Sequence, residues 1–227
     1  MIVYGKQIVF YILDKHPEII NEIFLTKEID KQLFNKFTKL DKKIVRPDSM
    51  KAQALARGGN HQGFLLDIKC IDYAELNDIK HDDFILVLDG LTDVGNIGAI
   101  VRTAYALGVN SIIVCGLKNL NIAGVVRTSS GSLLDMPIAL IHNSADVVNE
   151  LKQLGTTIVG ASTDGIDVTK FDKSKHKKIA LFLGNESTGL SNKTIKKLDE
   201  KVSISMSNNF DSLNVSVASG ILIHSLR

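Results

Sequence analysis

The stretch FILVLDGLTDVGNIGAIVRTAYALGVNSIIVCG, residues 84–116, decides the fold. It opens on a continuous apolar run, Phe84 to Asp89, passes through a loop, continues as the helix-like IGAIVRTAYALG, and closes on a second apolar run, SIIVCG. A strand apolar at nearly every position is buried on both faces, and the order strand, helix, strand predicts a parallel sheet covered by helices. Downstream, TTIVGA (156–161) and KKIALFLG (177–184) repeat the apolar strand running into a Gly-bearing loop, with DVVNELKQLG (146–155) as an intervening helix. The expected fold class is α/β, with a parallel sheet over residues 84–227.

Working back from Phe84, YAELNDIKHDD (73–83) is polar and nearly free of apolar clusters, and reads as a linker. Before it, residues 1–72 alternate helical and strand-like patterns. A helix is expected around Lys6–Lys15, a strand in IINEIFLT, a helix in EIDKQLFNKFTKL, another near MKAQALA and a strand in GFLLDIK. This is a small α/β domain of its own. From Lys36 to Arg57 it carries seven bases (Lys36, Lys39, Lys42, Lys43, Arg46, Lys51, Arg57) against Asp41 and Asp48. Such a run is either an RNA-facing patch or a solvated surface cancelled by neighbours in space. The lysines of KSKHKK (173–178) read as a surface loop before a strand.

Composition sets the outer limits. The chain has 227 residues, is 44% hydrophobic and 23% charged, and carries a formal charge of +2, which only weakly favours a nucleic-acid partner. Cys70 and Cys115 lie outside any CxxC or Cys/His cluster, so buried free thiols are expected, with no disulfide framework and no metal site. The opening MIVYGKQIVFYILDKHPE has no basic leader region, and no apolar run approaches the length needed to span a bilayer. A cytoplasmic protein is expected.

Two polar loops follow apolar runs: GNESTGLS from Gly184, and ISMSNNFDSLNVSVA from Ile204 to Ala218. Asn, Ser and Gly pack poorly and present hydrogen-bond groups well, so both read as binding loops at strand ends. After Asp89, Asn96 is a candidate helix cap, and Arg102 follows within two turns; a helix start beside an arginine favours a phosphate. The loop GLTDVGNIG lacks the GxGxxG spacing of a dinucleotide site. GxxxxGK[ST], HExxH and GxSxG are also absent.

The segments together resemble the SpoU, or TrmH-like, branch of the SPOUT RNA ribose methyltransferases. The matching motifs are N-x-G-x-x-x-R at Asn96–Arg102, LGNESTGL at Leu183–Leu190 and SLNVSVA at Ser212–Ala218. VYG at Val3–Gly5 and NHQGF at Asn60–Phe64 are similar to the N-terminal substrate-binding domain of the ribosomal-RNA members, so the resemblance covers nearly the whole chain. It implies a deep trefoil knot in residues 84–227, a rare exception to ordinary topology, and a small N-terminal RNA-binding domain. It implies an S-adenosylmethionine pocket at Gly184, Ile204 and Leu213, with Gly160 and Ala161 nearby. It also implies a homodimer.

The reaction so implied is methyl transfer to a ribose 2′-hydroxyl of RNA, most closely a guanosine of large-subunit ribosomal RNA. Arg102, Asn96, Glu186, Ser212 and Asn214 are the implied catalytic residues. Arginine stays protonated in nearly all proteins, so Arg102 is expected to clamp phosphate and stabilise developing negative charge, although the family's arginine has been assigned as a general base. Glu186 is alternatively a structural acceptor for loop N–H groups. A transfer-RNA ribose methyltransferase, and a catalytically silent RNA-binding or ribosome-assembly factor on the same scaffold, remain open alternatives. Two departures stand out: Ile204-Ser205-Met206 and Asn208 replace the family's IPM and following Gly, and GNESTG replaces GxEGxG. Both changes are expected to loosen the cofactor loops, and Asp211 adds a negative charge.

Overall fold

The computed structural model of the chain describes residues 1–208 and 212–227, so Asp211 lies outside the described residues. The chain divides into two units, Met1–Asp72 with Asn121–Gly131, and Tyr73–Leu120 with Ser132–Arg227.

The first unit opens with strand β1 (Ile2–Tyr4), helix α1 (Lys6–Lys15) and β2 (Ile20–Leu25), followed by α2 (Lys31–Thr38). It continues with β3 (Lys43–Val45), α3 (Ser49–Leu55) and β4 (Phe64–Ile68). The strands pair in the order β1-β4-β2-β3, with β4 antiparallel to both neighbours and β3 parallel to β2. β4 reads FLLDI, and Phe64, Leu65, Leu66 and Ile68 are all buried, as a central strand requires. Helices α2 and α3 start where Asp30 and Asp48 accept the N–H groups of Leu33 and Lys51, each satisfying an orphan donor.

The second unit begins with α4 (Leu76–Ile79), β5 (Phe84–Asp89), α5 (Val94–Ala106) and β6 (Ser111–Cys115). Residues 73–83, read as a linker, thus hold a short helix, and Ile79 is buried within this unit's core. Helix α6 (Ile122–Thr128) belongs to the first unit, where it packs on β1. The second unit resumes with β7 (Ile138–Ile141), α7 (Ser144–Gln153), β8 (Thr157–Asp167), β9 (Ile179–Gly184), α8 (Asn192–Ile195), β10 (Glu200–Ser203) and α9 (Val215–Leu226).

Among the described residues its six strands form one sheet in the order β10-β8-β9-β5-β6-β7, parallel at every pairing. β5, β6 and β9 are the continuous apolar runs of the sequence, and their side chains are buried on both faces. The chain leaves β9 in the middle of the sheet and forms β10 outside β8. It then returns, so that α9 packs on α5 and β9. The stretch SLNVSVA, read as loop, is helical from Val215 onward, because Asn214 caps α9 by accepting the N–H of Ser216.

The two thiols differ. Cys115, on β6, is buried, and that burial, reinforced by the charge of Asp89, pushes its pKa up to about 12. Cys70, expected to be buried, lies just after β4 and is exposed. An aromatic disulfide reagent at neutral pH is therefore expected to titrate one thiol quickly in the native protein and the second only after denaturant unfolds the sheet. Fast reaction of both would place Cys115 outside the core.

Candidate functional site

The C-terminal ends of β9 and β10, the middle of β8 where its pairing with β10 is interrupted, and the start of α9 meet around a cavity of about 920 Å³. Parallel α/β sheets carry their ligand sites at this edge, because the strand-to-helix loops there are free to vary while the sheet stays fixed. Ala161, Gly184, Ile204 and Leu213 line the cavity, as do Glu186, Ser212 and Asn214. Gly160 lies behind the wall: a Cβ there would meet Leu198 Cδ1 at 2.4 Å, so its role is close packing.

The loop after β9 is fixed by its own backbone. Asn185 and Gly189 exchange main-chain hydrogen bonds at 3.1 and 2.8 Å, and the Asn185 carboxamide oxygen accepts the N–H groups of Ser187 and Thr188 at 2.9 and 3.3 Å. Its amide nitrogen donates to the Gly90 carbonyl at 2.9 Å, tying the loop to the end of β5. Gly189 takes a φ of +67°, which closes the turn. A Cβ on Gly184 would lie 2.2 Å from the Gly189 carbonyl carbon, so the cavity wall depends on glycine there. Beneath, Asp89 Oδ2 accepts the hydroxyls of Ser144 at 2.9 Å and Thr194 at 3.2 Å, drawing the starts of α7 and α8 to β5. Asn185 and Asp89 are positioning residues that sequence reasoning missed; the signal for Asn185 was its place inside GNESTG.

Two of the lining residues, Glu186 and Asn214, are joined through the side chain of Asn96. Asn214 Nδ2 donates to Asn96 Oδ1 at 3.0 Å, and Asn96 Nδ2 donates to Glu186 Oε1 at 2.7 Å. The carboxylate can only accept, so the Asn96 amide has one orientation, with its oxygen toward Asn214. Three motifs far apart in sequence thereby meet at one point. Asn96 is not the cap of α5, as expected; Asp93 is, accepting the Asn96 N–H at 2.7 Å. That frees the Asn96 side chain for the network. Arg102, further along α5, is exposed and does not line the cavity of this chain.

The loop after β10 is tied where the family has proline. The Ser205 hydroxyl donates to Asp167 Oδ2, and Ser203 Oγ donates to the Gly165 carbonyl at 2.9 Å. Lys201 pairs with Asp164 at 2.7 Å. Hydrogen bonds from Ser205 and then Thr169 draw the Asp167 carboxyl down to about 2. A carboxylate with a depressed folded pKa keeps its contribution above the unfolded value near 4 and loses it as pH falls toward 2, so this tether persists at neutral pH. The expected loosening by loss of proline is thus opposed by Ser205.

The cavity suits S-adenosylmethionine. Its volume falls in the range of small-molecule sites, and its lining combines apolar Ile204, Leu213 and Leu222 with polar Ser162, Asn185 and Ser203. At about 0.3 kcal/mol for each of about 27 heavy atoms, binding would be in the micromolar range. Among the described residues no cluster of three His, Cys, Asp or Glu is placed to hold a metal, and no helix is long and apolar enough to cross a membrane.

Comparison with known proteins agrees with this geometry. Residues 83–224 match the model of the SpoU rRNA methylase family, and residues 2–74 match that of the RNA 2′-O ribose methyltransferase substrate-binding domain. The chain is 32% identical over 232 residues to the 23S rRNA (guanosine-2′-O-)-methyltransferase RlmB of Salmonella typhimurium, covering 97% of this chain and 95% of that protein. The AdoMet-bound rRNA methyltransferase of Sinorhizobium meliloti superposes with a TM-score of 0.79 at 26% identity, covering 100% of this chain and 86% of that one. The TrmH/SpoU tRNA modifying enzyme of A. aeolicus superposes with a TM-score of 0.57 at 29% identity, covering 66% of this chain and 80% of that one. The parallel sheet is that of the trefoil-knotted SPOUT methyltransferases. The chain belongs to the SpoU family of S-adenosylmethionine-dependent RNA 2′-O-ribose methyltransferases.

Proposed function

We propose that this enzyme methylates the ribose 2′-hydroxyl of a guanosine in large-subunit ribosomal RNA. The observation that carries the reading is the Asn214–Asn96–Glu186 chain, whose two ends line the cavity. A silent scaffold has no need to join three distant motifs there. The substrate class is supported by extent: the rRNA methyltransferase of S. meliloti matches this chain over its full length, the tRNA enzyme of A. aeolicus over 66% of it. On this reading residues 1–72 bind RNA, residues 84–227 carry catalysis, and the protein works in the cytoplasm.

Bound in the cavity, S-adenosylmethionine supplies a methyl group activated by its sulfonium. Gly184, Ala161, Ile204 and Leu213 hold it, with Gly160 packing behind them. A 2′-hydroxyl is a weak nucleophile, so the site must orient it and favour its alkoxide-like state. Glu186 and Asn214, fixed through Asn96, and Ser212 orient the ribose. Arg102 clamps the phosphate beside the reacting ribose and stabilises the developing charge.

A second copy of the chain is part of the proposal. Helices α5 and α9 pack on each other, and Tyr105, Val217 and Ile221 on them are 43%, 52% and 37% exposed. Val217 and Ile221 stand one turn apart on one side of α9. Ile221→Glu with Val217→Glu is expected to convert a dimer to a monomer in light scattering; an unchanged mass, or a wild-type monomer, would remove this part of the reading.

The substrate is tested by incubating the enzyme with unmodified 23S rRNA and the cofactor, then digesting the RNA to nucleosides. 2′-O-methylguanosine is the expected product. A methyl on another nucleoside, or on a base, would overturn the assignment.

A further inference from the structure

The two units hold their cations differently. In the second unit lysines pair with carboxylates: Lys80 with Glu150 at 3.4 Å, Lys152 with Asp199 at 2.5 Å, Lys201 with Asp164 at 2.7 Å. In the first unit Lys43 pairs with Glu22, but Lys6, Lys27, Arg46 and Arg127 lie over the rings of Phe10, Phe64, Phe34 and Tyr4, at 5.6, 4.9, 5.9 and 4.8 Å. A ring restrains a cation without cancelling its charge, whereas a carboxylate neutralises it. The first unit therefore keeps positive charge in fixed positions.

Two of these cations, Lys6 and Arg127, line one cleft of about 440 Å³ together with Tyr4, Asn60 and Gln62. Its walls come from separate stretches of chain, and their polar atoms are already half used. The Gln62 side-chain oxygen accepts the Lys6 N–H at 3.0 Å, which leaves its NH₂ to donate. The Asn60 oxygen accepts the Gln62 N–H at 3.2 Å, with the same result. The Tyr4 hydroxyl accepts from Arg127, so its own hydrogen remains to give. Tyr4 is itself seated against main chain: a Cβ on Gly59 would fall 1.9 Å from its hydroxyl. The side chains of these five residues thus offer donors and positive charge, Gln7 and Ser130 beside them are polar groups that can donate, and among the described residues no carboxylate lines the cleft. A base edge mixes donors with acceptors; a phosphodiester offers acceptors and a negative charge only.

We propose that this cleft binds the phosphodiester backbone of the substrate RNA, an inference that rests on the reading of the chain as an RNA methyltransferase. Arg127 is the centre of the site. It comes from the 121–131 segment, outside the stretch matched as substrate-binding, yet it completes the first unit. The contact positions RNA without reading its sequence.

The test uses the full chain, with a labelled single-stranded RNA followed by fluorescence anisotropy across a salt series. Lys6→Gln and Arg127→Gln are each expected to weaken RNA binding about tenfold at low salt, and to flatten the slope of log K against log salt by about 0.7. Arg127→Lys should keep the slope while losing affinity, because an ammonium cannot spread its fork over Tyr4. Cofactor binding by calorimetry should be unchanged in all three. Lys6 is exposed, so its variant stands even where Arg127→Gln lowers the melting temperature. Unchanged affinity and slope in both glutamine variants would overturn the proposal, as would equal competition by polyglutamate. Methyl transfer by the wild type is read alongside. RNA binding lost in the variants, with no methyl entering ribosomal RNA in the wild type, would keep the cleft and sink the proposed substrate; normal methylation with binding indifferent to both variants would sink the cleft alone.

Discussion

Gly184→Ala is expected to weaken S-adenosylmethionine binding about hundredfold, about 2.8 kcal/mol. The added Cβ would sit 2.2 Å from the Gly189 carbonyl carbon and 2.3 Å from the Leu190 nitrogen. Both are main-chain atoms, and Gly189 is held by two hydrogen bonds to Asn185, so the turn must open or β9 must shift. Overpacking of this kind costs about 1–3 kcal/mol in a well-packed site. Here the distortion falls on the cavity wall, so affinity for the cofactor is where it should appear. Calorimetric titration reads it directly. Affinity within threefold of the wild type would mean that the wall of the cavity lies elsewhere.

Asn96→Ala should divide binding from turnover. The side chain does not line the cavity, and its main-chain N–H would still reach Asp93, so α5 keeps its cap and the cofactor its pocket. What disappears is the bridge between Asn214 and Glu186, and with it the fixed placement of the groups proposed to orient the 2′-hydroxyl. Misplacement of about 1 Å at a reacting centre costs about hundredfold in rate. The expected result is a kcat about a hundredfold lower with unchanged cofactor affinity. Asn96→Asp should do no better, since it sets a second carboxylate against Glu186. Equal loss of cofactor affinity and rate would assign Asn96 to the pocket and remove it from the catalytic network.

The sheet was legible because β5, β6 and β9 are buried on both faces, which forces unbroken apolar runs. β1 and β7 escaped notice because strands of three and four residues leave no period to read. Helix α4 was hidden by composition: one buried residue, Ile79, suffices to dock it, and the other positions of LNDI are polar or only partly covered. The cap of α5 was misread because Asp93 and Asn96 are both good cap residues three positions apart, and the geometry gives the place to Asp93. The motif residues Gly184, Glu186, Ile204, Ser212, Leu213 and Asn214 line one cavity although they come from two separate loops. Nothing in the sequence could have told that Arg127 joins the first unit, since that depends on a tertiary contact between α6 and β1 across more than a hundred residues.

The most direct measurement is transfer of labelled methyl from S-adenosylmethionine to large-subunit ribosomal RNA and, in parallel, to bulk transfer RNA, by the wild type and by Arg102→Ala. Label entering ribosomal RNA alone, and falling by at least about a hundredfold in the variant, is the expected result. Label in transfer RNA instead, or an Arg102→Ala enzyme as active as the wild type, would contradict the assigned substrate or the assigned role of the arginine respectively; no label in either RNA would contradict the activity itself.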